Sequence, residues 1–122
     1  MRTIRVLVLT ALLALAACDA ATEPEVFVIV VPTQPPPVGL QACMSALLTG
    51  TLVTDQRWGM AVRASDGSVI KVMWPNGYVG RASDAGVELL DGKGAVVGRA
   101  GEQIEIGGGL GDAAGTTWFA CG

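Results

Sequence analysis

Eleven carboxylates and no histidine decide most of the chemistry open to this chain of 122 residues. Without imidazole, Ser-His-Asp and Cys-His catalysis are excluded, and most zinc sites with them. Acid pairs remain: Asp55 with Asp66, Asp84 with Glu88, then Asp91, and Glu102 with Glu105. A glycosidase needs two carboxyls facing one bond across a cleft. These acids fall instead in turns and on strand-like stretches, where carboxylates cap and solvate. Asp91-Gly92-Lys93-Gly94 offers turn oxygens to calcium, but it lacks further acids and its lysine opposes a cation. The glycine-rich stretch 107–115 has the look of a phosphate loop, yet no Lys-Ser/Thr follows, and Thr116-Thr117-Trp118 leads into a strand rather than a helix. It reads as a flexible connection. The chain is therefore expected to be non-catalytic, with no metal and no cofactor.

One cluster has the residue types of a binding site. Trp74, Tyr78 and Arg81 surround the turn Pro75-Asn76-Gly77. Aromatic faces beside a guanidinium can stack a sugar, a peptide or a base. Against this, Trp74 can fill a core while the Pro-Asn-Gly turn merely reverses the chain. Both readings stand on sequence alone.

The first residues have a separate character. Met1-Arg2-Thr3-Ile4-Arg5 carries two positive charges, and Val6 to Ala17 is uncharged and apolar. This is the layout of an export signal, and the run falls short of the roughly 20 residues a membrane span requires. It ends in Leu15-Ala16-Ala17-Cys18. That tetrapeptide resembles the lipobox of bacterial lipoproteins: an aliphatic residue, two small residues and cysteine. The resemblance implies cleavage before Cys18, a diacylglyceryl group on its thiol, and a membrane anchorage on the extracytoplasmic side of the cell envelope.

Three segments follow: a signal peptide at 1–17, a lipidated N-terminus and proline-rich tether at 18–42, and a small domain at 43–122. Loss of residues 1–17 removes Arg2 and Arg5, leaving six basic residues against eleven acidic ones, a net charge of −5. That balance opposes nucleic-acid binding, which needs clustered Lys and Arg. An envelope protein or a glycan is the expected partner class, beside the membrane held through lipid on Cys18. The expected role is an envelope binding module, with a structural or accessory subunit of an envelope complex as the alternative.

Cys43 and Cys121 bracket the domain, 78 positions apart. In an oxidising compartment such a pair is expected as a disulfide, a staple that small domains commonly need. In the tether, Pro32, Pro35, Pro36 and Pro37 favour an extended form. Val26-Phe27-Val28-Ile29-Val30-Val31 interrupts it with six apolar residues. Three roles fit: a strand docking on the domain, strand addition to a partner, or contact with the bilayer surface.

The domain reads as all-β. Sixteen of its 80 residues are glycine, which disfavours long helices and supplies turns. Strands are predicted at 47–54, 58–64, 68–73, 86–90, 95–100, 103–106 and 116–120, with hairpin turns at Asp66-Gly67 and at 91–94 and a crossing segment near 76–85. Short strands at this spacing indicate a small OB-like, partly open barrel or sandwich of five to seven strands. Gly50-Thr51-Leu52-Val53, Trp74-Pro75-Asn76-Gly77-Tyr78, Leu89-Leu90-Asp91 and Trp118-Phe119-Ala120-Cys121 are similar to stretches in small secreted bacterial domains of uncharacterised function. That resemblance implies an architecture and no activity.

Overall fold

The computed structural model describes residues 25–36, 43–111 and 114–122. Cys18 and the lipobox-like stretch lie outside the described residues, as do residues 37–42. Two-residue alternation builds the strands. In β2 (Ala46–Asp55), Leu48 and Leu52 turn inward while Leu47 and Thr49 face out. β3 (Gly59–Arg63) and β4 (Val69–Met73) follow across the Asp66-Gly67 hairpin, where Gly67 takes a φ of +88°. β8 (Gln103–Leu110) buries Ile104 and Ile106, and β9 (Thr117–Ala120) buries Trp118 and Ala120.

These five strands close a barrel in the order β2-β3-β4-β9-β8. β2 pairs antiparallel with β3 (Leu52↔Val62) and with β8 (Leu48↔Ile106). The seam is closed by a parallel β4–β9 pair (Val72↔Trp118) and an antiparallel β8–β9 pair. The result is the small all-β barrel that the sequence predicts, fully closed.

A second sheet has the order β1-β5-β6-β7, from β1 (Phe27–Ile29), β5 (Val79–Ser83), β6 (Gly86–Leu90) and β7 (Val96–Arg99). One cross-strand row on it runs Ile29, Gly80, Leu89, Gly98. The row fits the barrel because two of its members lack side chains. A Cβ on Gly80 would lie 2.8 Å from Ile29 and 3.2 Å from the Met60 sulfur, and one on Gly98 would lie 3.3 Å from Ile104. Leu89 is thereby admitted to the same core as Leu52, Met60, Val62, Val72 and Ile104.

Three expectations change. The crossing segment near 76–85 contains strand β5. Residues 107–109 are not a flexible connection but part of β8, paired with Ala46 and Leu47 on one side and with Phe119 and Ala120 on the other. Glycine is required there: Gly108 has a φ of +151°, and a Cβ would collide with the Phe119 carbonyl. Finally, the folded body takes in residues before 43. β1 pairs with β5, Val31 is buried, and Thr33 bridges to Trp74. Among the three roles open to residues 26–31, docking on the domain is what the structure contains.

Candidate binding groove

Trp74 lies wholly inside the core. Its indole Nε1 donates to the Met60 carbonyl oxygen at 3.1 Å. Its backbone N–H donates to the Pro32 carbonyl at 2.9 Å, and its own carbonyl accepts from the Gln34 N–H at 2.8 Å. Of the two readings open from sequence, ligand-stacking face or core filler, the structure places this residue in the core, where its backbone also joins the 31–34 segment to the barrel. Tyr78 stacks against it, with ring centroids 6.3 Å apart and planes 12° from parallel. Arg81 points elsewhere. It stands opposite Glu88 in the β5–β6 register, and its guanidinium donates to the Glu88 carboxylate at 3.2 Å. The three residues therefore do not form one aromatic and cationic surface.

The turn between Trp74 and Tyr78 nevertheless borders an opening. A groove of about 400 Å³ is lined by Gln34, Met44, Asn76, Phe119 and the Cys43–Cys121 disulfide, among others. Four distant segments meet there. Gln34 holds two of them together: its side-chain amide donates to the Met73 carbonyl at 2.8 Å and to the Ala120 carbonyl at 2.7 Å. Those carbonyls stand at the ends of β4 and β9, so the amide bridges the mouth of the parallel pair. Pro75 and Gly122 meet on the groove wall, next to the Tyr78 hydroxyl. The groove is apolar along Met44, Pro75 and Phe119, with amides at Gln34 and Asn76. That lining suits an uncharged ligand with an apolar face and a few polar groups. Sequence reasoning found the turn but missed Gln34, Met44 and Phe119, for which no local motif exists.

Gln34→Ala should lower stability by about 1–3 kcal/mol, since two carbonyls lose their donor at once. Denaturant unfolding reads this directly; an unchanged midpoint would show that the amide clamp contributes nothing.

The turn aspartates serve the backbone. Asp55 accepts from the Arg57 N–H at 2.7 Å and the Trp58 N–H at 3.2 Å. Asp66 accepts from the Ser68 N–H and hydroxyl, and Asp91 from the Lys93 and Ala95 N–H groups. These hydrogen bonds hold the Asp55 and Asp66 carboxyls below the ordinary aspartate range. Among the described residues, no group of three or more Cys, Asp or Glu is placed to hold a metal ion. The indole N–H of Trp118 is buried with no hydrogen-bond partner among the described residues.

Tyr78 is the chain's single tyrosine, so its titration is directly visible. Burial, and then the nearby charge of Asp91, push its phenol above the ordinary value of 10. The folded state thus favours the neutral phenol. Its contribution to stability is full below pH 10 and is lost as pH rises through the elevated folded value. Ultraviolet titration should place the folded midpoint above that of the denatured chain; coincident midpoints would mean that Tyr78 is solvated.

Comparison with known proteins finds no matching family model, curated relative or solved structure.

Proposed function

We propose that this chain is an exported bacterial lipoprotein, held by lipid on Cys18 at the extracytoplasmic face of an envelope membrane, and that its barrel is a non-catalytic binding module. The observation that carries the reading is the bond between Cys43 and Cys121, whose Cα atoms are 5.8 Å apart. Such a bond persists outside the reducing cytosol, and it agrees with an export segment that ends in Leu15-Ala16-Ala17-Cys18. The groove beside the disulfide supports the binding role, because it joins apolar walls to a few fixed polar groups. A glycan or a peptide of the envelope has that chemistry.

Cys18→Ala should block lipidation, leaving either uncleaved precursor of higher peptide mass or protein released into the soluble fraction. A variant that stays membrane-bound at the wild-type mass would sink the anchor. What co-purifies distinguishes the module from an accessory subunit. Retained glycan or peptide supports the groove; a stoichiometric protein partner supports the subunit.

A further inference from the structure

The strand nearest the lipidation site presents an apolar stripe that the fold does not cover. Alternation places Val26, Val28 and Val30 on one side of the β1 segment, where they are 54%, 70% and 84% exposed. On the other side Ile29 packs against the core cluster, and Val31, just past the strand, is buried. Ile29 and Val31 thus pin the segment on one side, where Phe27 is still 60% exposed, and the Val26-Val28-Val30 side is left open. Isolated exposed valines are ordinary, but a continuous stripe marks a contact surface.

The tip of the β2–β3 hairpin lies beside this segment, against Ile29 and the Val30 backbone. Gly59 approaches the Val30 carbonyl so closely that a Cβ would lie 2.6 Å away. Next to it, the Arg57 guanidinium sits 4.1 Å over the Trp58 ring and 3.4 Å from the Asp55 carboxylate, with the arginine side chain largely exposed. Trp and Arg with an apolar ridge are the chemistry of the lipid headgroup layer, where indole rings settle and guanidinium groups reach to phosphate. On the same sheet face, the row from Val28 continues through Arg81, Glu88 and Arg99, two cations around one anion.

Chain length selects the occupant. Six residues lie between Cys18 and Glu25, a span of at most about 25 Å when fully extended. A lipid on Cys18 therefore confines this stripe to the immediate neighbourhood of the bilayer. We propose that the open face of β1 and the β2–β3 tip rest on the phospholipid surface, fixing how the barrel is held relative to the membrane. This inference rests on the lipid-anchor reading. Asp19, Glu23 and Glu25 oppose an anionic surface, so the valines and Trp58 carry the contact rather than net charge.

The test uses the full chain, processed in cells, purified in detergent and reconstituted into phosphatidylethanolamine and phosphatidylglycerol vesicles, with and without brominated acyl chains. Flotation with the vesicles reads the anchor, and quenching of tryptophan emission by bromine reads the contact. Trp74 and Trp118 are buried, so Trp58 is the reporter, and Trp58→Phe sets the level without it. Wild type should float and be quenched beyond that level. Val28→Ser with Val30→Ser should float with unchanged melting and lose the extra quenching. Protein that fails to float overturns the anchor and this inference together. Protein that floats with quenching no greater than Trp58→Phe overturns the inference alone, and cross-linking into dimers would then assign the stripe to a second copy.

Discussion

Trp74→Ala should remove most of the stability of the fold. The indole is completely buried, donates to the Met60 carbonyl and stacks on Tyr78. Deleting so large a buried ring costs roughly 3–5 kcal/mol, against about 5–15 kcal/mol for a whole domain. For a domain of this size, that shifts the melting temperature down by about 15 °C or more. A further effect follows from the geometry: the Met60 carbonyl loses its donor. Trp74→Phe keeps much of the volume but not the donor, and should fall between alanine and wild type. Circular dichroism melts check the series; a cooperative alanine variant melting within a few degrees of wild type would return Trp74 to the surface.

Breaking the Cys43–Cys121 bond should have an effect of similar size. The bond spans 78 positions, and the chain-entropy treatment gives a loop of that length on the order of 4 kcal/mol. Its placement suits that role. Cys43 lies just before β2 and Cys121 just after β9, the two strands that flank β8, and the Cys121 N–H donates to the Gly107 carbonyl of β8 at 2.9 Å. The bridge therefore ties both neighbours of the same strand. Cys43→Ala with Cys121→Ala should melt far below wild type, and reductant should bring wild type to the level of the double variant. Reductant without effect on melting, or two free thiols in protein isolated without it, would contradict the assignment.

The barrel strands were legible where two-residue alternation meets a turn signal, as in Gln103-Ile104-Glu105-Ile106 and around Asp66-Gly67. β5 was not. Val79-Gly80-Arg81-Ala82-Ser83 lacks alternation because Gly80 is chosen for contact with Ile29 and Met60, residues remote in sequence. The same cause hid the end of β8. A glycine run looks like a loop until Phe119 and Ala120 are seen beside it. For the aromatic turn, a spacing of four residues serves a surface cluster and a buried stack equally well. Arg81 finds Glu88 only through the strand register. The groove was beyond reach, since Gln34, Met44, Asn76 and Phe119 meet only after the barrel has closed. The disulfide needed no such knowledge, because two cysteines at the ends of a small domain leave each other as the obvious partner.

The proposed anchor at Cys18 underlies both the proposed envelope role and the proposed lipid contact of β1. Intact mass spectrometry of protein extracted from membranes tests it most directly. The predicted result is a chain beginning at Cys18 that carries a diacylglyceryl group. An unmodified chain beginning at Met1, or at any residue other than Cys18, would contradict it.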